Sequence, residues 1–243
     1  MRSNNKKYFV FMGTFGSGKT ELALHFARAS AKAGNPTSLV DLDVVNPYFR
    51  AAERRQELAQ EGVRLITQNF ATSNVEIITV TPEVYSVFVP GEGSVIFDVG
   101  GDAVGSRAIG QYKPYFDRIP PEDLRVWLVV NSHRPLSSTP ERVERILDEI
   151  SASSRLSVNG LINNGNMSYE SNGHYLAESY HVLRQVSIDT GIPVIMTTGE
   201  EKPLAEFRDI AAAEGFEQKY IGEIVTISTL MHRDWERFVR LGF

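Results

Sequence analysis

Residues 13–20 read GTFGSGKT and match the pattern G-x-x-x-x-G-K-[ST] in full, between an apolar run and a segment of helical spacing. In this motif the backbone N–H groups of a glycine-rich loop converge on phosphate oxygens at the positive end of a helix. Lys19 would reach the β- and γ-phosphates, and the hydroxyl of Thr20 would bind Mg²⁺. The pattern therefore predicts a nucleotide-binding phosphate loop formed by Gly13, Thr14, Phe15, Gly16, Ser17, Gly18, Lys19 and Thr20.

A carboxylate stands at the end of another apolar run, in SVIFDVGG at 94–101. Mg²⁺ is a hard cation that keeps several waters, so one or two carboxylates complete a site that it shares with phosphates. Asp98 is the predicted metal-associated carboxylate, and the glycines leave room for the γ-phosphate to meet the backbone N–H of Gly100 or Gly101. The alternative is an aspartate that only begins a turn.

Two further carboxylates, Asp41 and Asp43, close the apolar run of VDLDVVNPYFR at 40–50, and the chain breaks at Asn46-Pro47. Taken alone, this stretch fits either a strand end followed by a turn or carboxylates held at a site. Beside the other two motifs, the second interpretation is favoured.

The order and spacing of GTFGSGKT, DLDVVNP and DVGGD resemble the SIMIBI class of P-loop NTPases over roughly residues 6–200. The similar group contains the Min and Par ATPases, the nitrogenase iron protein and the nucleotide-binding part of cobyrinic acid diamide synthases. The resemblance implies a switch I over 41–50, with Asp43 near the attacking water and the Mg²⁺ shell and Asp41 holding the loop. It also implies a switch II over 98–112, beginning at Asp98.

One position departs from the resembled group, whose Min, Par and nitrogenase members carry a signature lysine early in the loop. Here Thr14 takes that place. In those relatives the lysine reaches the partner's nucleotide across a dimer, so this chain lacks the residue on which that form of catalysis depends. Arg107 and Arg50 are candidate substitutes because a guanidinium stabilises charge on a transferred phosphoryl group, although surface arginines are usually only solvated.

The choice of base follows from one absence and one resemblance. The sequence has no N-K-x-D motif, so ATP is favoured over GTP. The resemblance implies a purine contact from an asparagine at the end of the sixth strand, which is Asn164, with Asn163 as the alternative register. Strand-end asparagines also commonly form turns. His133 and Arg134 follow a strand where α/β proteins bind ligands, and an exposed loop is the alternative there.

Strands and helices must alternate to bring these motifs together. Apolar runs of strand length alternate with segments of helical spacing, which predicts a single doubly wound α/β domain over 1–243 with a mainly parallel sheet and helices on both faces. The predicted strands are 8–12, 37–43, 63–67, 94–99, 124–131, 158–164 and 192–198. Helices are predicted after the phosphate loop, from Pro140 and over a C-terminal helical segment at about 203–243.

Composition excludes several functions. The net charge of −5 offers no basic field for nucleic acid, and the absence of cysteine excludes disulfides and thiolate metal sites. The N-terminal apolar run is too short for a membrane span. The C-terminal segment has an apolar face that is predicted to dock on the domain rather than on a membrane. A cytoplasmic protein is expected.

The motifs together predict a Mg²⁺-dependent ATPase that acts as a nucleotide-controlled switch. Lys19 and Asp43 are its predicted catalytic residues, and Thr20, Asp43 and Asp98 are the residues predicted to serve the metal. A homodimer is expected in the nucleotide-loaded state, with a further protein or small-molecule partner that the sequence does not identify. The alternative is an ATP-dependent synthetase or kinase of the dethiobiotin synthetase or diamide synthase kind, in which a substrate carboxylate replaces water.

Overall fold

The computed structural model of the protein describes residues 5–43, 52–67, 82–101, 103–167 and 170–228. The strands are β1 Asn5–Met12, β2 Thr37–Leu42, β3 Val63–Thr67, β4 Glu92–Val99, β5 Leu124–Val130, β6 Gly160–Asn163, β7 Val194–Gly199 and β8 Glu223–Thr226. The helices are α1 Lys19–Lys32, α2 Ala52–Gln60, α3 Pro82–Tyr85, α4 Ala103–Gly110, α5 Lys113–Phe116, α6 Pro140–Ser154, α7 Gly173–Thr190 and α8 Glu201–Glu214.

The strands form one sheet in the order β3-β2-β4-β1-β5-β6-β7-β8, and every neighbouring pair is parallel. β1 therefore lies in the interior of the sheet, with β4 on one side and β5 on the other. Because parallel strands end at one edge of a sheet, the segments that follow β1, β2, β4, β5 and β6 gather at that edge. These are the segments that carry the predicted site residues.

Both faces of the sheet are buried under helices. Val10 and Met12 pack on one face in a core that includes residues of α4, α6 and α7, whereas Phe11 belongs to the core under α1 and α2 on the other face. This two-sided burial explains the continuous apolar runs in the sequence, because a strand covered on both faces has no solvent side. The predicted doubly wound α/β fold is confirmed.

Three aromatic side chains fix α1 against the sheet. Phe26 on α1 lies with its ring centroid 5.1 Å from that of Phe11 and 5.5 Å from that of Trp127. The rings meet edge to face, which is a favoured geometry for aromatic pairs. The helix that follows the phosphate loop is therefore held on β1 and β5, and the loop is tethered at both ends.

The C-terminal part differs from its predicted form. A helical segment is predicted over about 203–243, but the chain leaves α8 after Glu214 and forms strand β8 at Glu223–Thr226. The prediction is wrong there because Ile224, Val225 and Thr226 are β-branched and extend the sheet beside β7. Residues 229–243, with the predicted docking face, lie outside the described residues.

Among the helices that the structure describes, none has both the length and the apolar composition needed to cross a bilayer.

Candidate nucleotide-binding site

The phosphate loop lies between β1 and α1, as its sequence predicts. Gly16 has φ of 78° and Gly18, which is the N-cap of α1, has φ of 88°. Only glycine adopts such a backbone without strain, so the spacing of the motif follows from the turn that the chain makes here. The backbone N–H of Ser17 donates to the Thr14 carbonyl at 3.1 Å and closes this turn. The loop therefore opens directly onto the N-terminus of α1, where backbone N–H groups are free to bind an anion.

Lys19 and Asp43 form an ion pair beside the loop. The distance from Lys19 Nζ to Asp43 Oδ2 is 3.1 Å, and both side chains are buried. Asp43 directly follows β2, and the backbone N–H of Asp43 donates to Asp41 Oδ1 at 2.9 Å. Asp41 thus fixes the backbone at the point where the predicted switch I begins. Residues 44–50, the remainder of that segment, lie outside the described residues.

Asp98 lies near the end of β4, between β1, which leads into the phosphate loop, and β2, which leads into Asp43. Within β4 it is the register partner of Asp41 on β2 and of Phe11 on β1. The carboxylate is completely buried, and neither of its oxygens has a hydrogen-bond partner among the described residues. A buried polar group without a partner is rare in native proteins and points to a ligand or an ordered water.

The surroundings of Asp98 also change its titration. The net effect of these surroundings is to raise the pKa of Asp98 to about 6: burial raises it most, the charge of Lys19 and the hydroxyl of Thr20 lower it, and the charge of Asp43 raises it. The Thr20 hydroxyl lowers this pKa although it makes no hydrogen bond of normal geometry with either Asp98 oxygen. The carboxylates of Asp43 and Asp98, the Thr20 hydroxyl and the Lys19 ammonium group therefore share a buried space. Burial disfavours the charged form of Asp98, which is the carboxylate without a hydrogen-bond partner among the described residues.

This set of side chains fits Mg²⁺ bound together with phosphates. Thr20, Asp43 and Asp98 offer hard oxygen atoms, and the orphaned carboxylate of Asp98 is the kind of group that a cation or its water shell satisfies. Within the described ranges, no cluster of three or more histidine and carboxylate side chains is arranged to hold a metal. A cation here would therefore take most of its ligands from phosphate and water oxygens, which is the habit of Mg²⁺.

The backbone near the beginning of the predicted switch II packs directly against the phosphate loop. A Cβ atom placed on Gly101 would lie 2.5 Å from the Gly13 carbonyl oxygen and 2.8 Å from the backbone nitrogen of Phe15. A Cβ atom on Gly100 would lie 3.5 Å from Asp43 Oδ1. The two glycines therefore connect the loop to both switch segments by close backbone approach, and a larger residue at 101 would push the loop away.

We expect the Gly101→Ala protein to bind nucleotide about tenfold more weakly than the wild type. The added methyl group meets backbone atoms that cannot rotate away, and overpacking of this kind costs about 1–3 kcal/mol. Titration calorimetry measures the affinity. Gly91→Ala is the matched control, because a Cβ atom there meets only the end of the Lys6 side chain, at 3.7 Å. An affinity unchanged in Gly101→Ala would show that the loop does not depend on this contact.

The structure separates the two candidate base-contacting asparagines. Asn164 donates from Nδ2 to the Ser17 carbonyl at 2.8 Å and accepts from the Thr198 hydroxyl at 2.9 Å. Asn163 instead donates to the Leu176 carbonyl on α7 at 3.1 Å. Asn164 is therefore the one that contacts the phosphate loop, while Asn163 anchors a helix. The purine contact itself stays a prediction.

The other candidates are placed as follows. The side chain of Phe15 is 67% exposed at the loop, so it is not part of the buried cluster. Arg107 is exposed on α4, and Arg50 lies outside the described residues. For Arg134 the sequence leaves a ligand-binding position and an exposed loop as alternatives, and in the structure its Nε–H donates to the Gly16 carbonyl at 3.2 Å. Its position after β5, the strand beside β1, is the sequence signal that could have identified this contact.

Neither a family model nor a curated protein matches the chain in sequence. Several solved structures match its fold. The cell division protein FtsY of Thermotoga maritima is 15% identical, with 82% of this chain and 64% of that chain covered and a TM-score of 0.53. FtsY of Elizabethkingia anophelis, in complex with GDP, is 19% identical, with 83% and 60% covered and a TM-score of 0.50. This chain thus spans less than two thirds of these FtsY chains.

A third structure matches over nearly its full length. The nucleotide-binding protein of Archaeoglobus fulgidus, in complex with ADP, is 13% identical, with 89% of this chain and 90% of that chain covered and a TM-score of 0.50. At such identities the likeness establishes the fold alone. The neighbours belong to the SIMIBI class of P-loop NTPases, and this chain shares their α/β fold, which is the fold that the three motifs predict.

Proposed function

We propose that this protein binds and hydrolyses ATP with Mg²⁺ and works as a nucleotide-controlled switch. The observation that carries the proposal is the convergence of Lys19, Thr20, Asp43 and Asp98, all buried, beside a phosphate loop of complete sequence. Lys19 and Asp43 compensate each other as an ion pair, but the buried carboxylate of Asp98 has no hydrogen-bond partner among the described residues, and burying a charge costs free energy unless a ligand or partner compensates it. A phosphate with its cation would provide that compensation.

In the proposed reaction each group has a separate task. The N–H groups of the loop and Lys19 hold the phosphates, and Thr20 and Asp98 serve the cation, directly or through its waters. When bound, Mg²⁺ neutralises charge that develops on the β- and γ-phosphates. Asp43 orients the attacking water. Because Lys19 is paired with Asp43 at 3.1 Å, a phosphate that takes over Lys19 also frees Asp43 for the water and the cation.

The switch follows from two contacts at the loop. Asp43 lies in one switch segment and Gly101 in the other, and both lie against the phosphate loop or its lysine. A γ-phosphate that binds between them must change the position of both, and its loss must let them return. We include in the proposal a homodimer in the ATP state, a further partner that reads the switches, and a cytoplasmic location, where ATP and Mg²⁺ are available.

ATP is proposed over GTP for two reasons. The chain has no N-K-x-D motif, and the neighbour that matches over most of its length was solved with ADP, although an FtsY neighbour was solved with GDP. The amide of Asn164 has two N–H donors, and one of them is given to Ser17. We propose that the other donates to a ring nitrogen of the purine.

The test is phosphate release and calorimetric affinity, measured with ATP and with GTP, with and without Mg²⁺. We expect ATP to bind at least about tenfold more tightly than GTP, which is the effect of one well-placed hydrogen bond. A preference for GTP would overturn the choice of base but leave the P-loop function intact. Failure to bind either nucleotide would overturn the whole proposal.

Light scattering after size-exclusion chromatography tests the switch. We expect a dimer with a non-hydrolysable ATP analogue and a monomer with ADP. An oligomeric state that is the same in both would favour the alternative, in which the protein transfers phosphate to a small-molecule carboxylate and turns over only with that substrate.

A further inference from the structure

Arg134 lies directly against the phosphate loop. Its Nε–H donates to the Gly16 carbonyl at 3.2 Å, and a Cβ atom on Gly16 would lie 3.1 Å from Nε and 3.5 Å from Cζ. The guanidinium group therefore lies in the space next to the Gly16 Cα into which a side chain would extend. Nε is engaged by the loop, and among the described residues the two terminal nitrogens have no hydrogen-bond partner, so they can bind another group.

The loop that carries Arg134 is fixed in place by buried hydrogen bonds. Asn131, which is completely buried, donates from Nδ2 to the Asn166 carbonyl at 2.8 Å and accepts the backbone N–H of His133 on Oδ1 at 3.1 Å. The Asn131 carbonyl accepts the backbone N–H of Arg134 at 3.1 Å and the hydroxyl of Ser137 at 2.7 Å. The backbone that carries Arg134 is therefore fixed, which holds Arg134 beside the phosphate loop.

Arg134 also differs from those arginines of the protein that form ion pairs. Arg28, Arg64 and Arg184 each form ion pairs with glutamates. Within the part of the chain that the structure describes, Arg134 has no carboxylate in ion-pair distance, and its side chain donates to a neutral carbonyl, that of Gly16. A half-buried cation that is held rigidly beside an anion-binding loop, without an acidic partner, has the charge and the position to bind the anion itself.

We propose that Arg134 binds the α- and β-phosphates of the nucleotide through its terminal nitrogens. This inference rests on the proposed nucleotide-binding function. The backbone N–H groups of the loop that contains Gly16 cradle the α- and β-phosphates, while Lys19 reaches the β- and γ-phosphates. The flat fork of a guanidinium group matches two phosphate oxygens, so Arg134 adds a second cation to the site from within the same chain.

The position of Arg134 implies a specific role. The α- and β-phosphates are present in ADP as well as in ATP, so Arg134 binds both nucleotides and does not act on the phosphoryl group that is transferred. It therefore does not replace the missing signature lysine in catalysis. An interaction that is equal in the ground state and the transition state changes affinity but not the rate at saturation.

The test is the affinity of Arg134→Gln for ATP and for ADP by titration calorimetry. Glutamine can still donate to the Gly16 carbonyl but has no charge, so the loop contact is kept and the proposed phosphate contact is lost. We expect both affinities to fall by the same factor, about 10- to 100-fold, with the rate at saturating ATP unchanged within about twofold. The dependence of affinity on salt should become shallower in the variant, because one cation fewer meets the phosphates.

Two further variants make the result specific. Arg134→Lys keeps the charge and should recover part of the affinity. Arg125→Gln is the matched control, because the contacts of Arg125 among the described residues are with the backbone carbonyls of Pro121 and Leu124, at the opposite end of β5. Its affinity should equal that of the wild type. The unfolding temperature without nucleotide should be the same in Arg134→Gln and wild type.

Three outcomes would overturn the inference. They are an unchanged affinity, a loss for ATP but not for ADP, and a loss that accompanies a lower unfolding temperature and is equal in Arg134→Lys. The proposed function is tested separately by the wild type and Lys19→Ala. If the wild type binds ATP, Lys19→Ala does not, and Arg134→Gln binds like the wild type, then the role of Arg134 is refuted and the nucleotide site stands.

Discussion

The Lys19→Ala protein is expected to bind ATP more than about a hundredfold more weakly than the wild type. Lys19 is buried beside the loop, and in the proposed complex its ammonium group donates to two phosphates. Each charge-assisted hydrogen bond contributes about 1.5–3 kcal/mol, so the loss of two exceeds about 3 kcal/mol. Titration calorimetry with ATP and with ADP measures the change. The loss should be larger for ATP, because only ATP has the γ-phosphate.

The same change removes the ion pair with Asp43, so its effect on folding must be measured separately. Removing one partner of a buried pair costs about 3–5 kcal/mol. The double variant Lys19→Ala with Asp43→Asn removes both charges, and we expect it to unfold at a higher temperature than the single variant while still failing to bind ATP. Lys7→Ala is the matched control, since Lys7 pairs with Asp123 near the opposite end of β1. If Lys19→Ala binds ATP normally, the phosphate-loop assignment fails.

The parts of the site that the sequence predicts are those that depend on local backbone geometry. The spacing of Gly13, Gly16 and Gly18 follows from the turn between β1 and α1, and the conformation of a turn depends on residues that are adjacent in sequence. The strands can also be read from the sequence, because burial on both faces requires continuous apolar runs. Asp43 and Asp98 follow because each ends such a run next to a recognisable break.

The contacts that could not be predicted join residues far apart in the chain. Arg134 meets Gly16 across 118 positions and Asn164 meets Ser17 across 147. These pairs depend on the strand order, in which β5 lies beside β1 and β6 beside β5. No local pattern encodes that order. The missed strand β8 is a different failure, because four residues beside a helix are too few for a period of two to be distinguished from the helical period.

The Asp98→Asn protein is expected to be more stable without nucleotide and much less active with it. Asp98 is completely buried, and neither oxygen has a hydrogen-bond partner among the described residues, so its charge opposes folding. Asparagine has almost the same shape without the charge. We expect a gain of roughly 1–3 kcal/mol at neutral pH, or about 2–4 °C in unfolding temperature for each kcal/mol. The rate of ATP hydrolysis should fall about 10- to 100-fold, and the Mg²⁺ concentration needed for half-maximal hydrolysis should rise.

Asp123→Asn is the control of opposite sign. Asp123 is also buried, but it is paired with Lys7 away from the site. Its replacement should lower the unfolding temperature and leave hydrolysis unchanged. A lower unfolding temperature in Asp98→Asn at neutral pH would show that the native state stabilises the Asp98 charge, and normal hydrolysis would remove Asp98 from the metal site.

The dependence of this gain on pH identifies its cause. Burial raises the pKa of Asp98 from 3.8 to about 6, so the folded protein holds this proton more tightly than the unfolded chain does. The stabilisation by the bound proton is complete below pH 3.8 and is lost as the pH rises to about 6. The advantage of Asp98→Asn over the wild type should therefore be smallest at low pH, open over this interval and stay constant above it. Unfolding temperatures of both proteins across pH 4–8 measure that difference, and a difference independent of pH would assign the gain to packing instead of charge.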